Sequence, residues 1–416
     1  MKILNFGSCN IDYVYSLDHI VRAGETETTS AMSVFPGGKG LNQSIALSRA
    51  GGEVFHAGCI GEGGEFLRDL LAGNGVDTSF LRTVDGKNGH AVIQVSREGE
   101  NSIFLYPGSN ECITREQIDE TLSHFSEGDL LLLQNEVNEL GYLVEAAHRR
   151  GLRIVLNPSP YNETIRNLNF GMLSCLILNE VEAGGITGCD SSEEALVYFR
   201  AHYPNLSVML TLGKKGCVYQ DAAQCISHGA FRVTAVDTTA AGDTFTGYFV
   251  AGISEGKPMD EILRLASCAS AISVSRMGAA PSIPKKEEVL ALLPSMKTVP
   301  RDAKRRAVLQ KIEQYLTENL SRANLSELSA ILGYSEAYTA QLVKELTGRG
   351  FREQVQEKRL RRAATLLLSA ELSVGEIIRA VGYENESFFR AAFRKRYGMN
   401  PLEYRKNDQK GEENHE

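Results

Sequence analysis

At 416 residues the chain exceeds one ordinary domain and suggests two or three. Its 43% hydrophobic and 23% charged residues fit a globular chain, and no apolar run nears the ~18 residues that span a membrane, so an integral helical membrane protein is excluded. The net charge of −8 hides an asymmetry: residues 301–416 carry 21 Lys and Arg against 17 Asp and Glu, a balance of +4 that leaves −12 for residues 1–300. Such a split points to two domains with different partners, the basic one a candidate for nucleic acid. All eight Cys lie at or before Cys268 without a CxxC pair, which reads as reduced packing residues of a cytoplasmic protein. The opening MKILNFGSCNID is strand-like and lacks the long apolar core of a signal peptide.

In chain order, KILNFG reads as a strand, GLNQSIALSRAG as a helix, EVFHAGCIG as a strand and GEFLRDLLAGNG as a helix. HAVIQVSREGENSIFLYPG breaks the rhythm. Its alternation, with a turn at Glu98-Gly99-Glu100, predicts an antiparallel hairpin that would form a flap over the main sheet. The strands DLLLLQN, RIVLNPS, CLILNE and SVMLTLG follow, interleaved with the helices LGYLVEAAHRRG and SEEALVYFRAHYP. Continuous apolar strands alternating with helices predict βαβ units and a buried parallel sheet over residues 1–290. At PSMKTVPRD the pattern stops, giving a linker over 291–304. Residues 305–406 read as helices with short turns, and 407–416 form a polar tail expected to be disordered.

The segment DTTAAGDTFTGYF, residues 237–249, places Gly242 and Asp243 before a helical run. Asp243 is either an N-cap or a catalytic base beside an anion-binding helix start, and the segment alone leaves both open. Neither a GxxxxGK[ST] loop nor a GxGxxG fingerprint is present. GSCNID, Gly7–Asp12, follows the first strand, where open α/β sheets bind ligands, though taken alone the segment is better read as a polar turn. GGKGLNQS, Gly37–Ser44, allows close backbone approach before a helix. Glu136 in LLLQNEV, Asn179 and Glu182 in LNEVE, and the turn TLGKKG each close an apolar strand.

In this order the motifs resemble the ribokinases of the PfkB family of carbohydrate kinases, over nearly all of residues 1–290. The resemblance implies a ribokinase-like α/β sandwich with a central, mostly parallel sheet and a small β lid. It implies a sugar site of Asn10, Asp12, Gly38, Lys39, Gly40, Asn42, Glu136 and Asp243. Ala240, Ala241 and Gly242 would supply an anion hole, and Asp243 the base. Asn179, Thr211, Gly213, Gly216, Gly242 and Ser267 would face ATP, and Glu182 would hold Mg²⁺ through water. SVSRMGAAPSIP resembles the stretch that binds a monovalent cation, K⁺, so that Asp237, Thr239, Ser273, Arg276, Gly278 and Ser282 carry over. Two positions depart from the family pattern: Ala240 stands where Gly is usual, and Leu41 where a small residue is usual, which would alter substrate fit.

The C-terminal part contains two helix-turn-helix units, NLSELSAILGYSEAYTAQLVKELTG and SVGEIIRAVGYENESFFRAAFRKRYGMNPLEYR. Gly382-Tyr383, Ser387-Phe388-Phe389, Phe393, Gly398, Pro401 and Tyr404-Arg405 resemble the AraC-family signature, which implies an all-α DNA-binding domain. Phe388 and Phe393 read as core by helical spacing. Tyr338, Thr339, Gln341 and Lys344 in the first unit, with Asn385, Ser387, Arg390 and Arg394 in the second, are candidates for DNA contact at the recognition helices. The run KRLRRAA reads as a phosphate-contacting stretch or a solvated face.

The expectation is an ATP-dependent kinase for a pentose such as ribose, fused to a DNA-binding regulator and plausible as a homodimer. The alternatives are a sugar sensor without turnover and a kinase for deoxyribose, a nucleoside or another sugar.

Overall fold

The computed structural model describes residues 1–298, 303–369 and 372–412 and divides into two units, Met1–Arg301 and Asp302–Glu416. In the first unit the strands, in chain order, are β1 (Ile3–Phe6), β2 (Asn10–Ser16), β3 (Ala31–Gly37), β4 (Val54–Glu62), β5 (Asp77–Lys87), β6 (His90–Val95) and β7 (Asn101–Tyr106). They continue as β8 (Leu130–Gln134), β9 (Arg153–Asn157), β10 (Cys175–Asn179), β11 (Ser207–Thr211), β12 (Cys217–Gln220) and β13 (Cys225–His228). Nine form one sheet in the order β13-β12-β11-β10-β9-β8-β1-β4-β5, parallel from β11 to β5 and antiparallel at β12 and β13.

The apolar runs explain this placement. Leu130 and Leu132 feed one core while Leu131 and Leu133 feed another, as Ile3 and Leu4 do on β1. Because side chains alternate across a strand, both sheet faces are covered and no polar face is needed.

A second sheet, β3-β2-β6-β7, is the small lid, with the expected hairpin at β6 and β7. One expectation changes here. Asn10 and Asp12 do not end the first strand; they open β2, so the chain leaves the central sheet at Gly7–Cys9 and enters the lid. β1 and β2 are separated by three residues, too few for the sequence pattern to signal a change of sheet.

Two helices position the chemistry. Lys39–Arg49 starts where β3 ends, and Ala241–Ser254 starts at the Gly242-Asp243 motif. They touch at Gly247, where an added Cβ would lie 2.4 Å from Ala46 Cβ and 2.8 Å from backbone, so the absent side chain sets their closeness.

In the second unit, Ile312, Tyr315, Leu316, Leu328 and Val343 pack one small core. Leu360, Ala363, Ile377, Phe389 and Phe393 pack another. The helix Phe351–Ser369 contributes to both. The last helix spans Pro401–Glu412, so the helix continues into the stretch expected to be disordered. Its polar composition limits burial but does not forbid helix, since Lys, Arg, Gln and Glu have high helix propensity. Residues 413–416 lie outside the described residues, as do 299–302 of the expected linker, whose first part is still helical through Leu292.

Candidate functional site

The loop Gly38–Gly40 and the Ser8 region close on each other because a Cβ on Gly40 would meet the Ser8 amide at 2.3 Å. Glu136 joins them, accepting from Ser8 Oγ at 2.5 Å and from the Lys39 amide at 3.0 Å. Asn10 accepts from Asn110 Nδ2 at 2.6 Å. Burial raises Glu136, and burial with the nearby Glu136 and Asp243 pushes the Asp12 carboxyl up to about 7. Burial works to lower Lys39, but Asp243, Glu136 and Glu182 together hold it above its ordinary value.

Asp243 is 7% exposed and opens the helix Ala241–Ser254. It accepts from Asn42 Nδ2 at 3.1 Å and Gln43 Nε2 at 2.9 Å. The preceding Ala240 has φ 58°, a left-handed conformation that explains why Gly is usual there. A cleft of about 200 Å³ is lined by Lys39, Asn157, Asn179, Glu182, Thr211 and the 240–243 turn, among others. A second cavity of about 380 Å³ holds Asn10, Asn110 and Glu136 beneath the end of the lid at Leu105 and Tyr106. The Lys39–Glu136 hydrogen bond links the two, Lys39 lining one and Glu136 the other.

On the other side of the first cleft, Asn179 caps the helix Glu180–Thr187 and Glu182 returns a bond to the Asn179 amide at 2.9 Å. Gly213 and Gly216 form the turn after Thr211. Ser267 is buried with its hydroxyl 3.7 Å from Cys217 Sγ, and it does not line that cleft. Asp237 accepts from the Thr239 amide and the Gly278 amide, both at 2.9 Å. Burial opposes its charge, but these bonds outweigh it and hold Asp237 below its ordinary value. Ser273 and Ser282 hydrogen-bond each other at 2.7 Å, and the Arg276 side chain is taken by Glu288. Leu41, expected to alter substrate fit, is fully buried in the apolar core and away from both cavities.

The family model described as pfkB family carbohydrate kinase matches residues 1–286. The chain belongs to the pfkB family of carbohydrate kinases. It is 36% identical over 296 residues to the ribokinase of Haemophilus influenzae, covering 69% of this chain and 96% of that one. The deoxyribokinase of Salmonella typhi is 28% identical over 308 residues, covering 69% and 97%. Among solved structures, the ribokinase of Cryptococcus neoformans var. grubii in complex with ADP superposes with a TM-score of 0.61 at 34% identity, covering 70% of this chain and 99% of that one. The ribokinase of Arabidopsis thaliana complexed with ribose and ATP gives 0.62 at 27% identity, covering 70% and 98%. This pfkB-family member is therefore an ATP-using sugar kinase, and its residues 328–407 match a helix-turn-helix domain model, which makes the second unit an AraC-type DNA-binding domain. No helix among the described residues is long and apolar enough to cross a membrane.

In that domain the recognition helices are Glu336–Thr347 and Glu386–Tyr397. Tyr338, Gln341, Lys344, Ser387 and Arg394 are exposed, and Arg390 is half-buried with Glu386 at 3.6 Å. Asn385 is exposed and caps its helix, its side-chain oxygen accepting from the Phe388 amide at 2.9 Å. Two expectations fail. Thr339 is fully buried, so it faces the core and not a groove. Phe388 is 59% exposed, and Phe389, one position on, takes the core place with Phe393. The KRLRRAA run is also largely structural: Lys358 pairs with Glu313, Arg359 donates to the Leu320 and Ser321 carbonyls, and Arg361 pairs with Glu357.

Sequence reasoning missed Gln43, Gln134, Asn5 and His56, all fully buried beneath the site. The only signal available was polar residues inside otherwise apolar segments.

Proposed function

We propose that the first unit phosphorylates a pentose, ribose first, on its terminal primary hydroxyl at the expense of ATP. The observation that carries this reading is Asp243, buried at a helix start, held by two amide donors, and sharing one cleft with Lys39 and Glu182. A carboxylate so placed orients and deprotonates an alcohol, while the free amides and dipole of the first helical turn receive negative charge. The sugar oxygen bonds to the γ-phosphorus, the bond to the β,γ-bridging oxygen breaks, ADP leaves, and Asp243 takes the hydroxyl proton. Ala240, Ala241 and Gly242 form the anion hole. Asn10, Asp12, Gly38, Lys39, Gly40, Asn42 and Glu136 hold the sugar, and Asn179, Thr211, Gly213 and Gly216 face the nucleotide. Ser267 remains on the adenine side only through its contact with Cys217 next to Gly216.

Glu182 is an oxygen ligand on the cleft wall, fitting a hard cation that keeps waters, and Mg²⁺ there would neutralise phosphate charge. Asp237 ties the 237–243 loop to Gly278, and backbone oxygens around Thr239, Ser273, Arg276, Gly278 and Ser282 would hold K⁺. Ribose is favoured over deoxyribose by the higher identity to a ribokinase. The sensor reading is disfavoured because Asp243, Glu182, Asn10, Asp12 and Lys39 all stand. The apolar lid residues Val34, Phe35, Ile103 and Phe104 are exposed on an otherwise water-facing sheet, which a second copy would cover. The second unit would then act as a transcriptional regulator on paired DNA sites.

The test is ATP consumption across pentoses, hexoses and nucleosides, with and without K⁺. Asp243→Asn should cut turnover about 100- to 10,000-fold, to a residual rate, and leave sugar binding in place; turnover at the wild-type rate would remove Asp243 as base.

A further inference from the structure

Beneath the proposed catalytic base lies a chain of amide side chains that the mechanism above does not use. Gln43 Nε2 donates to Asp243 Oδ1 at 2.9 Å and to Asn157 Oδ1 at 3.0 Å. Gln43 Oε1 in turn accepts from Gln134 Nε2 at 2.7 Å. Gln134 donates its other proton to Asn5 Oδ1 at 3.0 Å. Asn5 Nδ2 donates to the Gly40 carbonyl at 2.7 Å and to Ser44 Oγ at 2.8 Å. The Ser44 proton is then left for His56 Nδ1, at 2.8 Å. Asn5, Gln43, Ser44, His56 and Gln134 are all fully buried.

The direction of each bond is fixed by the next. An amide offers a donor end and an acceptor end, and a flip exchanges them. The Gly40 carbonyl can only accept, so Asn5 must turn its NH₂ toward Gly40 and its oxygen toward Gln134. Gln134 must then donate, which obliges Gln43 to present oxygen to Gln134 and NH₂ to Asp243. A flipped Gln43 would set oxygen against carboxylate and lose its three bonds to Asp243, Asn157 and Gln134 in a dry interior, where unmade bonds are costly.

We propose that Gln43 is a positioning residue for phosphoryl transfer, held in one orientation by Gln134 and Asn5 so that its amide aims the Asp243 carboxylate at the sugar hydroxyl. This rests on Asp243 being the base. Gln43 contacts neither substrate nor nucleotide in this scheme; it acts through Asp243 alone.

The experiment compares kcat and sugar KM for Gln43→Leu, Gln134→Met, Asp243→Asn and the double variant Gln43→Leu/Asp243→Asn, with thermal denaturation of each. Gln43→Leu should lower kcat about 10- to 100-fold, the range a misplaced reacting group produces, with sugar KM within about threefold. Gln134→Met, which leaves Gln43 in place but frees its orientation, should cause a smaller loss of the same kind. In the Asp243→Asn background Gln43→Leu should have no further effect, because residues acting as one unit are not additive. Unchanged kcat in Gln43→Leu, a rise in KM alone, or an equal further loss in the Asp243→Asn background overturns the positioning role while leaving the kinase reading intact. Should Gln43→Leu fail to fold, Gln134→Met decides by the same criteria. A wild-type chain without sugar-dependent ATP turnover overturns both.

Discussion

Gly247→Ala separates two opposing effects on one helix. In an isolated helix the change is favourable by about 0.8–1.0 kcal/mol, because Ala loses less backbone entropy than Gly. Here the new Cβ would sit 2.4 Å from Ala46 Cβ and 2.8 Å from the Leu47 amide. Carbon atoms rest about 3.5–4.0 Å apart, so the helices Lys39–Arg49 and Ala241–Ser254 must separate by roughly 1 Å. Overpacking of this kind costs about 1–3 kcal/mol, which outweighs the propensity gain and leaves a net loss of about 1 kcal/mol. The contact lies one turn beyond Asp243 on one helix and one turn beyond Asn42 and Gln43 on the other. Their bonds to Asp243, 3.1 and 2.9 Å, would stretch past the usual hydrogen-bonding range. A misplacement of that size costs about 100-fold in rate. Urea denaturation and a coupled ADP-release assay on the full chain measure both quantities. A variant that is stabilised and keeps its kcat would refute the claim that Gly247 sets the geometry of the base.

Three further outcomes are expected. Ala240→Gly should stabilise the fold by about 0.5–1 kcal/mol, since a left-handed Ala costs about 1–2 kcal/mol and Gly returns part of that in unfolded-state entropy; a destabilised variant in urea would show that φ 58° carries no strain. Asp12, raised by burial, Glu136 and Asp243 to about 7 from an ordinary 3.8, binds its proton more tightly folded than unfolded between those values. Falling pH through that window should therefore weaken sugar binding while this carboxyl's penalty on stability is relieved, and Asp12→Asn should remove both trends in calorimetric titrations and melts. In the DNA-binding unit, Arg390→Ala should weaken a specific site by about 1–3 kcal/mol if it reads a base edge, whereas Thr339→Val should leave DNA affinity unchanged in electrophoretic shifts; a selective loss at Thr339 would contradict its burial.

The sequence announced the site where chain topology concentrates chemistry. Parallel strands deliver their carboxyl ends to one edge, and Glu136, Asn179 and Thr211 each lie at or just past such an end, but it was the family resemblance that gave them their roles. Asn10 and Asp12 were found for the wrong reason, because the chain passes from one sheet to another without a turn signal. Gln43, Gln134 and Asn5 were invisible. A buried amide has no characteristic spacing; its importance lies in which end of it faces which neighbour, and that is settled by contacts between residues as far apart as Gln43 and Asp243.

Charge counting misled in the helical unit for a related reason. The run Lys358–Arg362 promised phosphate contacts, yet Arg359 spends its guanidinium on the carbonyls of Leu320 and Ser321, where a helix has ended. Arg405 does the same for Leu367 and Leu372 in the second helix-turn-helix unit. Each of the two small cores is thus closed by an arginine that satisfies carbonyls at and beyond a helix end, a use for which five fixed donors suit it better than lysine. Much of the basic charge of this unit is therefore engaged within its own fold, whereas Arg394 and Lys395 on Glu386–Tyr397, and Arg362 of the longer run, are exposed.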